Sequence, residues 1–176
     1  RFWSGCAKMA KRGLEISGIG LIDMDLHTCF HLEAVQTPPT KTLEQVKYTL
    51  IDWYLHVLRT RKEKLLRLTN YVVADTYFSK STFVDGALEM GFHVISRFRD
   101  DAYFRYLTAE QSTGKRGRPK LYDGKIEIKH LEEDRFEIIN LENGQGRILS
   151  AVVHSRSLSR DILLCIWESE DKKVHK

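Results

Sequence analysis

Asp75 is the residue whose surroundings first suggest chemistry. It stands in Asn70-Tyr-Val-Val-Ala-Asp-Thr-Tyr-Phe-Ser-Lys80, where a short apolar run ends on one acid and an aromatic pair and a serine follow. In open α/β sheets, ligands gather beyond the carboxyl ends of strands. A carboxylate there can bind magnesium, which takes a few hard oxygen ligands and keeps several waters. Two such ions can hold the attacking and leaving oxygens of a phosphodiester in line. One aspartate cannot do this alone, and an aspartate after a strand equally suits a turn or a cap. Both readings stand at this point.

Gly114-Lys-Arg-Gly-Arg-Pro-Lys120 is the most basic stretch, with Lys115, Arg116, Arg118 and Lys120 as its cations. An extended Arg-Gly-Arg-Pro core suits a narrow A·T-rich minor groove, and the cations can contact phosphates. A solvated loop broken by glycine and proline is the plainer reading. Arg97 and Arg99 sit at a strand end, where paired arginines can clamp phosphates or pair locally with Asp100 and Asp101. Asp23 and Asp25 lie between two strand-like runs and read as a turn, and Glu132, Glu133 and Asp134 as a solvated turn. Tyr77 and Phe78 read as packing residues. The histidines are scattered with no ligand spacing, and no glycine-rich phosphate loop or nucleophile elbow is present.

The chain that must position these groups has 176 residues, 42% hydrophobic and 30% charged, an ordinary globular mix with enough length for a core. No apolar run reaches the roughly 18 residues of a membrane span. Net charge is +4, which permits an acidic partner without demanding one. Cys6, Cys29 and Cys165 are widely spaced and form neither a zinc pattern nor a disulfide framework, so a reducing cytoplasm is expected. The opening Arg1-Phe2-Trp3 and the polar ending read as a segment of something longer.

Residues 14–22 and 29–35 read as an antiparallel hairpin, with Phe30, Leu32 and Ala34 on one face and His31 and Glu33 on the other. Pro38-Pro39 breaks the chain. Thr42 and Gln45 fit a capping box, and apolar residues from Leu43 to Leu58 predict one amphipathic helix to about Leu66. Residues 71–74 predict a strand. A helix capped by Ser79 or Ser81 follows, with Phe83, Val84, Ala87 and Leu88 inward and Gly91 ending it, and then a strand over 92–98. This order implies a mixed α/β sheet with the hairpin at one edge. Residues 108–125 read as a basic loop. Strands are predicted over 126–131, 135–141, 147–153 and 161–167, with Asn143-Gly144 as a turn. Two parts are expected: 1–107 as a catalytic-type core, and 108–176 as the loop with a β-rich insertion.

Five ordered segments together resemble one family: RFWSGCAKMAKRGLEIS, HLEAVQTPP, YVVADTYFSKSTFVDG, GFHVISRFRDDAYFRYL and GKRGRPKLYDGKI. They are similar to DDE transposases of bacterial insertion sequences, in the subgroup with a β-rich insertion inside the catalytic domain. The resemblance runs from Arg1 to about Trp167. It implies an RNase H-like mixed sheet with flanking helices, incomplete here at both ends. It also implies three acids around two magnesium ions, DNA as substrate, a nucleoid-associated cytoplasmic location and room for a homodimer.

Asp75 matches the family's second acid. The first acid belongs on a strand before the FWSG segment, and the third on a helix beyond the insertion. Neither lies in these 176 residues. The resemblance therefore implies DNA contacts from Arg97, Arg99, Lys115, Arg116, Arg118 and Lys120, with Lys80 beside the site. A fragment inactive alone is expected, its neighbouring strands left with open edges. A non-catalytic DNA-binding remnant that uses the basic loop is the alternative.

Overall fold

The structure is a computed structural model that describes residues 2–4, 6–108, 120–142, 145–169 and 174–175. It is a mixed α/β protein in two compact units, Arg1–Asn70 and Tyr71–Lys176. Among the described residues no helix is long and apolar enough to cross a membrane.

The first unit begins with two short antiparallel strands, β1 (Phe2–Ser4) and β2 (Met9–Lys11). The expected hairpin follows as β3 (Ile16–Asp23) and β4 (Thr28–Gln36), paired antiparallel. Asp23 makes its turn, accepting from the backbone N–H groups of Asp25 and Leu26 at 3.0 and 2.9 Å. The buried face differs from expectation. A bulge at Ile19/Gly20 shifts the register, and Phe30 and Leu32 stay exposed. Glu33 is on the more covered face, where its carboxylate takes both Nε and Nη2 of Arg61. That pairing holds the carboxyl of Glu33 below its ordinary range.

The single long helix is also corrected. Helix α1 covers only Thr40–Gln45 and has no side-chain cap, so Thr42 and Gln45 form no capping box. Lys47 then takes a left-handed φ of 56°, which an α-helix cannot continue through. Helix α2 (Leu50–Leu66) starts afresh with a reciprocal cap between Thr49 and Asp52. Leu43, Ile51, Leu55 and Val57 are buried, while Val46, at the break, is exposed.

The second unit opens with a strand–helix–strand segment. β5 (Tyr71–Ala74) pairs parallel with β6 (His93–Ser96), and α3 (Ser81–Glu89) connects them. Phe83, Val84, Ala87 and Met90 are buried at helical spacing, while Leu88 is at the exposed margin. Lys80, not a serine, takes the N-cap position, with no side-chain cap bond. The C-terminus is a Schellman motif: Phe92 N–H reaches Ala87 O, Gly91 N–H reaches Leu88 O, and Gly91 has φ 93°. No ladder joins β3–β4 to β5–β6 among the described residues. The one mixed sheet implied by the strand–helix order is here two separate pairs.

The remaining strands form one antiparallel sheet in the order β12-β11-β10-β7-β8. They are β7 (Phe104–Leu107), β8 (Tyr122–Lys125), β10 (Arg147–Ser155), β11 (Arg160–Glu168) and β12 (Val174–His175). β9 (Glu137–Asn140) shares the β7 edge of β10. The β-rich reading holds for β9, β10 and β11. Residues 126–131 are not a strand, whereas Phe104–Leu107 and Tyr122–Lys125 are. The predicted turn at Asn143-Gly144 and most of the basic loop lie outside the described residues. The core of this sheet joins Phe104, Tyr106, Ile126, Phe136, Leu149, Val153, Leu164 and Ile166.

Candidate functional site

Parallel pairing decides what stands beside Asp75. Ala74 on β5 registers with Ser96 on β6, so the next residues, Asp75 and Arg97, leave the same end of the pair. Both are exposed. An acid and a base are thus delivered to the carboxyl edge of two neighbouring strands.

Two serines brace that edge. Ser96 Oγ donates to Asp75 O at 2.8 Å, Ser79 Oγ donates to Arg97 O at 2.7 Å, and the two hydroxyls are 2.9 Å apart. Each hydroxyl has one proton, so only two of these three bonds form at a time. Ser79, a candidate cap in the sequence, is a strand-end clip instead. Nothing in its local pattern marks that role, because its partners are 17 and 18 residues away.

The Asp75 side chain is already employed. Its Oδ1 accepts from Tyr77 N–H at 2.8 Å and so caps a single 3-10 turn over Thr76–Phe78. The turn reading of the sequence is therefore real geometry. It does not exclude a second role, since a carboxylate has two oxygens with about four lone-pair sites. Tyr77 and Phe78 pack edge to face, Phe78 rests on Phe83 of α3, and Lys80 Nζ lies 3.9 Å from the Tyr77 ring centroid. Lys80 thus reaches the turn that Asp75 caps.

A surface depression of about 390 Å³ lies next to this turn, lined by Thr76, Arg97, Phe98, Arg99, Asp100 and Asp101. Arg99 Nε is 3.5 Å from Asp101 Oδ1, and both side chains are more than three-quarters exposed, so this pair contributes little. Among the described residues no three His, Cys, Asp or Glu side chains converge on a metal-sized site. Asp75 alone does not make a magnesium site, so the residues present do not fit that ion by themselves.

Of the basic loop, Lys115, Arg116 and Arg118 lie outside the described residues. Lys120 is exposed at 60% and sits 3.1 Å from Asp123 Oδ1, with Arg135 3.0 Å from the other oxygen. Glu132, Glu133 and Asp134 are not simply a solvated turn. Glu132 pairs with Arg135, and Glu133 pairs with Arg147, which also holds Glu168.

The chain matches no protein-family model, no curated protein and no solved structure.

The acidic partner of Lys120 gives a pH prediction. Hydrogen bonds from Lys120 and then Arg135 lower the Asp123 carboxyl from 3.8 to about 2. A carboxyl depressed in the folded state stabilises it above the unfolded value. That contribution disappears as pH falls from 3.8 toward about 2. Asp123→Asn is therefore expected to flatten the acid limb in that window and leave the pH dependence near neutrality unchanged. Urea midpoints measured against pH for both proteins check this. An unchanged acid limb would contradict the pairing.

Proposed function

We propose that this chain is the central part of a DDE transposase catalytic domain, with Asp75 as one of its metal-binding acids. The carrying observation is the placement of Asp75, exposed and one residue beyond a strand paired parallel to its neighbour. The resemblance of five ordered segments supports the same reading. So does the order hairpin, long helix, short strand, which is what an RNase H-like sheet requires. Each strand pair also leaves apolar side chains open to solvent, among them Phe30, Val73 and Ile95. Open edges and faces of this kind are expected where a sheet lacks a strand.

The reaction of such an enzyme is magnesium-dependent phosphoryl transfer on DNA, in which water attacks a phosphodiester and releases a 3′-hydroxyl, and that hydroxyl then attacks a target phosphodiester and releases the target strand's 3′-hydroxyl. Held in part by Asp75, the metal would supply charge stabilisation and an activated oxygen nucleophile. Its other ligands would come from residues outside these 176. What this chain contributes is Asp75 on a braced edge and cations for the backbone: Arg97, Arg99, Lys115, Arg116, Arg118 and Lys120, with Lys80 nearby.

The 176-residue protein alone is expected to show no magnesium-dependent nicking of supercoiled plasmid. Clean nicking, abolished by Asp75→Ala, would overturn that expectation of inactivity. A second reading keeps DNA binding without chemistry, and the Gly114–Lys120 loop favours it. Four phosphate contacts from this loop contribute about −3.6 to the log–log salt slope, a fall on the order of 10²-fold in duplex affinity from about 50 to 200 mM salt. Binding at least that salt-dependent, with no magnesium dependence, fits a remnant or the isolated fragment equally. No binding at low salt contradicts both.

A further inference from the structure

A second basic surface lies on the antiparallel sheet, built from residues other than the four loop cations and the strand-end arginines. Arg105 on β7 faces Lys125 on β8 as a direct cross-strand partner. Like charges directly opposite on adjacent strands destabilise a sheet. The backbone N–H of Arg156, just after β10, donates to Tyr103 O at 3.1 Å and brings a third cation to the same place. All three charged groups lie around one ring: Arg105, Lys125 and Arg156 are 5.3, 5.6 and 5.7 Å from the Tyr103 centroid. Arg105 is also 5.2 Å from the Tyr122 centroid.

Cation–π attraction offsets part of the repulsion, yet none of the three cations takes part in an ion pair with a carboxylate among the described residues. Asp161, on β11, is taken by His154 at 2.9 Å. Elsewhere in this unit Arg135, Arg147 and Arg160 each hold a carboxylate. An unmatched cluster of three suits an anion supplied from outside.

We infer that Tyr103, Arg105, Lys125 and Arg156 form a phosphate-backbone contact surface for duplex DNA. Cations around the Tyr103 ring occupy the approach that a stacking base would need. The surface therefore meets phosphates and not bases, and recognition is independent of sequence. The choice of DNA as the polyanion rests on the proposed function, while the unmatched cluster stands on its own geometry.

The test is fluorescence anisotropy of the 176-residue protein with a short mixed-sequence DNA duplex across a salt series. Three proteins are compared: wild type, Arg105→Gln with Lys125→Gln and Arg156→Gln, and a loop variant with its four cations changed to glutamine. Losing three phosphate contacts should reduce the log–log slope by about 2.7 and weaken low-salt binding on the order of 10²-fold. Retained near-UV circular dichroism checks the fold. Should the triple variant fail to fold, Lys125→Glu with Arg156→Glu, both at exposed positions, should lower the slope by about 2. A patch variant that binds with the wild-type slope, while the loop variant does not, overturns this surface and leaves the DNA reading intact. Wild-type protein that binds no duplex at low salt overturns both.

Discussion

Asp75→Asn should leave folding almost untouched and abolish chemistry. The two roles of this residue make different demands. The turn needs only an oxygen that accepts from Tyr77 N–H, and an asparagine amide supplies one. A metal needs the charge. Stability of the Asn variant should therefore match wild type, while Asp75→Ala loses the cap and about 1 kcal/mol. Activity should rank differently. In a protein that joins this chain in frame to the two further acids that the proposed function requires, both variants should lose on the order of 10³-fold in strand nicking, about 4 kcal/mol of barrier. Nicking by the Asn variant at the wild-type rate would make Asp75 a turn residue and nothing more. Chemical denaturation and plasmid nicking on the same three proteins decide it.

Phe104→Ala should produce the largest loss of stability. Phe104 is 1% exposed and meets Phe98 edge to face at 5.0 Å. It belongs to the core that Leu149, Val153, Leu164 and Ile166 fill from β10 and β11. Removing a buried phenyl loses its transfer energy and leaves a cavity, together about 3–5 kcal/mol. Domains are usually stable by only about 5–15 kcal/mol. Leu163→Ala is the control, because Leu163 is 66% exposed on the opposite face of the same sheet and should cost less than about 0.5 kcal/mol. Urea unfolding of both variants checks the pair. Equal effects would contradict the assignment of the inner face.

The sequence is most readable where local chemistry and the final fold agree. Asp23 marks its own turn, and Gly91 marks the end of α3, because one side chain or one φ value explains each. The strands β9, β10 and β11 carry apolar runs that a packed sheet needs. The long helix misleads because its apolar spacing runs straight across a break. Lys47 in a left-handed conformation carries no compositional warning, although Thr49 and Asp52 do offer a cap. β7 and β8 escape a reading by pattern for a different reason, since polar residues or glycine interrupt the apolar positions of each. In β7 the buried Phe104 and Tyr106 alternate with the half-buried Arg105 and Leu107, too short a pattern to separate from a loop. In β8, Tyr122-Asp-Gly-Lys125 has the composition of a turn.

The candidate site is legible only in part. The strand end at Asp75 can be read from its apolar run, whereas its neighbour Arg97 depends on parallel register, which appears only in three dimensions. The cation cluster around Tyr103 is invisible in the sequence for the same reason, since its members come from three separate segments.

The most direct test of Asp75 as one of three metal-binding acids is to sequence the DNA on both sides of this reading frame. The proposed function requires, in frame, an upstream strand carrying an aspartate and a downstream helix carrying a glutamate, which with Asp75 complete the acid set. Stop codons or unrelated sequence on both sides would contradict it, and any function would then rest on DNA binding alone.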